Sequence, residues 1–213
     1  MRTIERRRLR APALSLAVLV SLAAFTLPGL APPPPAHSHR FYVAAAAGFF
    51  YPGQDAFRNV YDKPAWPLEI QLGRELDRKL DMFAAARYLR ASGSTVPLPP
   101  VFPEETYALR LEVLSLRLGL NYRLGRGRVV PFLGAGVQYA FFKEAWRDLP
   151  VEAHGRKAGL FAQAGGRYGL GRSLHILAQL DYSSIHGGPG SGLAESVNLG
   201  GLSLMLGVRC GIF

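Results

Sequence analysis

One short segment of the chain holds the residue types that covalent catalysis uses. Ser183, Ser184 and His186 are followed by Glu195. A serine becomes a nucleophile when a basic group lies within hydrogen-bond reach and a third group orients that base. If a strand extended this far, Ser184 and His186 would share one of its faces. Residues 187–192 read GGPGSG, which predicts a loop, so proximity in sequence does not by itself assign an active site.

The other histidines and the cysteine do not suggest a metal centre. His37, His39, His154 and His175 lack metal-ligand spacing together with a suitable third ligand. Cys210 is the only cysteine, so no intrachain disulfide can form. We therefore expect no metal and no cofactor.

Most of the informative residues lie in segments in which apolar residues alternate with small or polar ones. In residues 131–142, PFLGAGVQYAFF, the odd positions are mainly apolar and the even ones include small and polar residues. Because successive side chains of a strand point to opposite faces, this pattern predicts a strand with two unlike faces. Segments 67–76, 80–90 and 174–183 alternate in the same way. Across all strands, the less apolar face carries nine charged residues: Glu69, Glu75, Asp81, Arg87, Arg117, Arg123, Arg167, Asp181 and Arg209.

The connections between the candidate strands alternate in length. Seven connections separate eight candidate strands, and the first and last are long. The long ones are 52–66, 90–106, 143–157 and 184–196, and the short ones are 76–79, 125–128 and 171–173. Up-and-down membrane barrels have tight turns on the periplasmic side and longer loops outside. The sequence therefore predicts an all-β fold, an eight-stranded antiparallel up-and-down transmembrane β-barrel.

Aromatic residues decide which face points outward. A soluble barrel would alternate too, with its apolar face inward. Here nine aromatic residues share the apolar face and lie near strand ends, in two groups: Tyr51, Trp66, Tyr88, Tyr139, Phe141 and Tyr182 at one end, and Phe41, Tyr122 and Tyr168 at the other. Two aromatic bands are typical of a lipid-facing wall. The nine charges must then face a lumen that eight strands make only wide enough for side chains to fill, so we predict a filled, cross-linked polar lumen.

The turn lengths also predict side-chain pairings. A tight turn at 77–79 places Glu69 opposite Arg87, and Glu75 beside Asp81. If Gly125 pairs with Arg128, Arg117 faces Gly136. The alternation shifts phase between 113 and 114, which predicts a β-bulge there.

One long connection has a helical pattern. Asp55 precedes Phe57, Val60 and Tyr61, which have helical spacing. We predict a short amphipathic helix at the barrel mouth, with Asp55 as its N-cap.

The N-terminal segment reads as a targeting signal. Five arginines within residues 2–10 precede an apolar run, 11–27, and then Pro28 and the prolines 32–35. This order is typical of a secretory signal peptide, here residues 1–38, and the alternative is a transmembrane anchor. Residues 39–213 would form the barrel. Residues 1–38 hold five of the 25 Lys and Arg and one of the 15 Asp and Glu, so the remainder carries a net charge of +6. These charges form no run or stripe, so we expect no nucleic-acid partner.

Two segments carry a family resemblance. PFLGAG at 131–136 and the ending VNLGGLSLMLGVRCGIF at 197–213 resemble strands of small outer-membrane β-barrel proteins of the outer membrane protein A, X and W and opacity-protein type. The ending departs from the family pattern, because Gly211 and Arg209 share a face with Phe213. The resemblance implies an outer-membrane location, contact with outer-membrane lipid, and assembly by the barrel-assembly machinery.

The resemblance also frames the possible functions. A non-enzymatic barrel would serve envelope structure, surface interaction through its outer loops, or passage of small apolar solutes. The surface partner is not identified by the sequence. The alternative is a lipid A-modifying hydrolase using Ser184 and His186, because such enzymes occur among small outer-membrane barrels. A second alternative is a periplasmic lipocalin-like binder.

Overall fold

Eight strands and one short helix form the fold. The computed structural model describes residues 41–61, 64–95, 107–146, 152–185 and 199–212, so the predicted signal peptide lies outside the described residues. The strands are β1 (Phe41–Pro52), β2 (Trp66–Glu75), β3 (Leu80–Thr95), β4 (Tyr107–Arg123), β5 (Val129–Trp146), β6 (Glu152–Gly169), β7 (Leu174–Ser184) and β8 (Gly201–Gly211), and helix α1 is Asp55–Val60. Within the described part, no helix is both long and apolar enough to cross a bilayer.

The strands close into a barrel. Each strand pairs antiparallel with its neighbour in sequence, and β1 also pairs with β8. Tight turns join β2 to β3, β4 to β5 and β6 to β7, all at what we call the turn end. The longer connections lie at the opposite, outer end. The predicted eight-stranded up-and-down barrel is confirmed.

The barrel exterior is apolar between its two ends. Leu116 and Leu118 are 50% and 53% exposed, and every strand contributes similar side chains. The nine aromatic residues of the two predicted girdles belong to this face, with Tyr168 half-buried and the others exposed. A continuous apolar surface of this extent suits lipid rather than water. The arrangement is the reverse of a lipocalin-like barrel, so that alternative is wrong.

Several strands are longer than predicted at the outer end. β3 runs to Thr95, β5 runs to Trp146, and β6 already begins at Glu152. Backbone pairing continues to Thr95 opposite Tyr107 and to Ala145 opposite Glu152. Residues 90–95 of the first of these predicted connections, and 143–146 and 152–157 of the second, are therefore strand. The alternation that marks a lipid-facing strand fades there because the outward positions become charged.

The predicted β-bulge in β4 is wrong. Pairing of β4 with both neighbours is continuous through residues 113 and 114. Leu109, Leu111 and Val113 point into the barrel and are at most 3% exposed, whereas Leu114 points outward. The apparent phase shift arises because the interior itself becomes apolar at the outer end.

Two of the three predicted pairings are confirmed. Glu69 faces Arg87, and Glu75 faces Asp81. Arg117, however, faces Gln138 rather than Gly136, an error of two residues. The β4–β5 turn is wider than predicted, since the Leu124 amide donates to the Pro131 carbonyl at 2.9 Å.

Candidate functional site

Two clusters of ion pairs fill the lumen, and together they contain all nine predicted inward charges. The central cluster consists of Glu69, Asp181, Arg87 and Arg117. Arg87 donates to Glu69 at 2.8 Å and to Asp181 at 2.7 Å. Arg117 donates to Glu69 at 2.7 Å and also pairs with Asp181. Each arginine thus bridges both carboxylates, and no side chain of the cluster is more than 8% exposed.

The turn-end cluster consists of Glu75, Asp81, Arg123, Arg167 and Arg209. Like charges on facing positions of β2 and β3 would repel, and arginines from three other strands relieve them. Arg209 contacts Glu75 at 2.7 Å and Asp81 at 3.0 Å. Arg123 contacts the same carboxylates at 3.1 Å and 3.2 Å. Arg167 lies 3.4 Å from Asp81.

Small residues make room for the arginines and for the rings that cover them. Gly119 and Gly136 face each other, and a Cβ on either would lie 2.7 Å from the Phe161 ring. That ring stacks on Arg117, whose guanidinium carbon is 3.7 Å from the ring centre. Arg209 stacks on Tyr42 in the same way, at 3.5 Å. Cation–π contacts are strongest where water is excluded.

Little free space remains between these side chains. A cavity of ≈ 10 Å³ lies beside the turn-end cluster. This volume is about that needed for one water molecule. Tyr42 and Gln71 line the cavity, and the Tyr42 hydroxyl and Gln71 Nε2 are buried without a hydrogen-bond partner among the described residues. The lumen is therefore a packed polar core.

The interior changes character at the outer end. There an apolar group, which we call the mouth cluster, fills the barrel: Phe50, Phe57, Tyr61, Ala65, Leu89, Ala91, Leu109, Leu111, Val113, Ala140, Phe142, Ile185 and Leu199. Helix α1 contributes Phe57, which is 1% exposed. The predicted capping helix is confirmed, but its predicted N-cap is wrong. Gln54 occupies the N-cap, and Asp55 is the first helical residue.

A carboxyl group lies at the edge of the mouth cluster. Glu144 is 1% exposed, and neither of its oxygens has a hydrogen-bond partner of normal geometry among the described residues. The Tyr61 hydroxyl faces it. Burial, followed by the nearby Glu144 carboxylate, raises the pKa of Tyr61, which lies beyond the end of α1. Sequence reasoning missed Glu144, because its position in β5 was assigned to a loop.

Four strands extend past the outer aromatic girdle. This projecting wall comprises residues 89–95 of β3, 107–113 of β4, 142–146 of β5 and 152–158 of β6. Its outward face is charged, with ion pairs between Arg110 and Glu112 at 2.8 Å and between Lys143 and Glu152 at 2.8 Å. A lipid-facing Arg or Lys costs about 2–4 kcal/mol at the bilayer midplane, so this part of the barrel lies outside the hydrocarbon layer.

The residues considered for covalent chemistry are only partly described. Ser184 ends β7 on the outward-facing side, and Ser183 points inward, where its hydroxyl lies 3.5 Å from the Gly201 carbonyl oxygen. His186 and Glu195 lie outside the described residues. His175 is half-buried near the turn end, and His154 is on the projecting wall. Among the described residues, no group of His, Cys, Asp and Glu side chains is arranged to hold a metal ion.

Comparison with known proteins supports the fold. No protein-family model and no curated protein matches the sequence. The chain is similar to solved structures of Neisserial surface protein A, at 18% identity and a TM-score of 0.52, covering 81% of this chain and 97% of that one. It is also similar to the outer membrane protein OprG from Pseudomonas aeruginosa, at 16% identity and a TM-score of 0.60, covering 82% and 97%. A major outer membrane protein from Thermus thermophilus matches at 16% identity and a TM-score of 0.52, covering 82% and 99%.

At these identities the similarity concerns the fold. Together with the apolar exterior and the ion-paired interior, it identifies a membrane-spanning barrel of the outer-membrane type.

Proposed function

We propose that this outer-membrane barrel is not an enzyme, and that it acts by surface interaction through its projecting wall. One observation carries the proposal: β3 to β6 rise above the outer girdle with a charged outward face. From Tyr88 to Thr95, β3 alone extends seven residues, which is about 20 Å of strand. A paired sheet of this length is a rigid surface, and rigid surfaces lose little entropy when a partner binds.

The lumen network has a structural role in this proposal. The central cluster has two positive and two negative side chains that pair with one another, so it stabilises the barrel and does not line a water channel.

Assembly would follow the outer-membrane route, in which the barrel-assembly machinery recognises β8. Val208 in β8 and Ile212, one residue beyond it, are 51% and 41% exposed.

Photocrosslinking in the cells that make the protein tests the surface role. A photoreactive amino acid replaces the outward residues Arg90 or Arg156 of the projecting wall, or the matched belt residues Leu116 or Leu204. We expect discrete protein or polysaccharide adducts from the wall positions and lipid adducts from the belt positions. If the wall positions yield only lipid adducts or none, the proposal is wrong.

A second candidate function is binding of small apolar solutes at the outer mouth. The mouth cluster favours it, because apolar side chains there are covered by one short helix rather than by a strand. A solute would displace Phe57 and occupy its place. Titration with a fluorescent apolar probe tests this idea: the Phe57→Ala variant should bind more tightly than the wild type, and equal binding would remove the candidate.

The lipid A-modifying hydrolase is the competing enzymatic hypothesis. Replacing Ser184 and His186 with alanine and comparing lipid A by mass spectrometry separates it from the non-enzymatic proposal. We expect an unchanged lipid A profile. A change that also appears when the neighbouring Ser183 is replaced would point to altered folding instead.

A further inference from the structure

The turn end of the barrel carries an unbalanced set of exposed charges. Six of the described residues there are exposed cations: Arg74, Arg78, Lys79, Arg126, Arg128 and Arg172. Among the described residues of the three tight turns, one exposed acidic side chain, Asp77, opposes them. On the projecting wall the imbalance is smaller: the cations are Arg90, Arg110, Lys143, Arg156 and Lys157, and the carboxylates of Glu112 and Glu152 pair with Arg110 and Lys143. The excess of positive charge is thus larger at the turn end than on the described projecting wall.

Each aromatic residue of the turn-end girdle has a cation over its ring. The distances from cation to ring centre are 5.2 Å for Arg74 over Phe41, 5.8 Å for Lys79 over Tyr122, and 5.0 Å for Arg128 over Tyr168. The three pairs lie between β1 and β2, at the β2–β3 turn beside β4, and between β5 and β6. They are therefore distributed around much of the circumference.

Arg74 indicates the depth at which these pairs lie. It projects from the lipid-facing side of β2, between the exposed residues Leu72 and Leu76. A charge on that face is tolerated near the interface but not at the bilayer centre. Its alkyl stem can lie along the apolar wall while the guanidinium reaches the headgroups. The cations are thus held at the level of lipid phosphates, on rings that themselves favour the interface.

We propose that the turn-end girdle is a binding surface for anionic phospholipids, which it prefers to zwitterionic ones. The occupant is a lipid whose phosphate headgroup has a net negative charge, such as phosphatidylglycerol. The aromatic ring orients each cation, and the headgroup phosphate supplies the missing counter-charge. This surface is separate from the projecting wall, so it does not depend on the surface-interaction proposal.

Lipid-protein association measured by electron spin resonance tests the proposal. The refolded protein is placed in phosphatidylcholine bilayers with spin-labelled phosphatidylglycerol or spin-labelled phosphatidylcholine. One basic residue at a membrane surface changes affinity by about fivefold, so we expect phosphatidylglycerol to associate at least about fivefold more strongly. Added glycerol phosphate distinguishes the sources of phosphate: a lipid site keeps its preference, whereas a site for soluble phosphate loses it.

Two matched triple variants locate the effect. Arg74→Gln, Lys79→Gln and Arg128→Gln together should lower the preference at least about fivefold, although Arg78, Arg126 and Arg172 remain at this end. The control removes three exposed cations from the outer end, with Arg90→Gln, Arg156→Gln and Lys157→Gln, and should keep the preference. Heat-modifiable gel mobility checks that both variants are folded. Equal association of the two lipids with the wild type, or an equal loss in both variants, would overturn the proposal.

Discussion

Removing one carboxylate from the central cluster should destabilise the barrel more than removing a carboxylate and an arginine together. In Asp181→Asn, the guanidiniums of Arg87 and Arg117 keep only Glu69 as a counter-charge. At an effective dielectric constant of about 20, each close ion pair contributes about 4 kcal/mol of attraction, much of it offset by desolvation. Leaving a buried partner unpaired has a net cost of about 3–5 kcal/mol. We expect Asp181→Asn to lower the free energy of unfolding by an amount in that range.

The double variant Asp181→Asn with Arg87→Gln restores charge balance. It leaves Arg117 paired with Glu69 at 2.7 Å. We therefore expect it to be more stable than Asp181→Asn alone, which requires a coupling free energy between the two sites larger than the loss from Arg87→Gln alone, at least about 3 kcal/mol. If the two sites were independent, the losses of stability in the two single variants would add in the double variant.

Chemical unfolding in lipid vesicles, followed by tryptophan fluorescence, measures these free energies. Glu112→Gln is the control, because it removes a carboxylate from an exposed pair with Arg110. Such pairs contribute at most about 1 kcal/mol. A loss below about 1 kcal/mol for Asp181→Asn, or additive losses in the double variant, would refute the view that the lumen is a coupled ionic core.

Three further outcomes follow from the packing of the interior. Gly136→Ala should cost about 1–3 kcal/mol in the free energy of unfolding, because its Cβ would collide with the backbone of β4, whereas Gly166→Ala meets nothing within 4 Å and should be neutral. Phe57→Ala should increase acrylamide quenching of Trp146, which packs against the mouth cluster, while Arg58→Ala on the exposed side of α1 should not. Planar-bilayer recording of the wild type should show no steady large conductance, and a stable open level would contradict the filled lumen.

Counting residues outward from a tight turn correctly predicted the side-chain pairings that the turn determines. Glu69 opposite Arg87 follows from the short β2–β3 turn, where an error of one residue would move every side chain to the wrong face. The β4–β5 pairing failed because Gly125 and its neighbours permit turns of more than one width. Alternation places side chains inside or outside, but it does not set the register between strands.

Alternation also fails to predict which side chains point inward wherever both faces of a strand have the same polarity. Leu109, Leu111 and Val113 point inward, yet they resemble the lipid-facing leucines that follow them in β4. The sequence alone had no means to show that the lumen contents change from ionic to apolar. That change depends on α1, which brings Phe57 from a connection into the barrel.

The two kinds of interior support each other. Ion pairs strengthen as water is excluded, and an unpaired buried charge becomes correspondingly more costly. The mouth cluster and α1 separate the central cluster from water at the outer end, where the projecting wall would otherwise form an open cup. Glu69 and Asp181 are no more than 3% exposed as a result. Displacing α1 should therefore weaken the ion pairs of the central cluster. Binding or movement at the outer mouth would then change the stability of the part of the barrel that lies in the membrane.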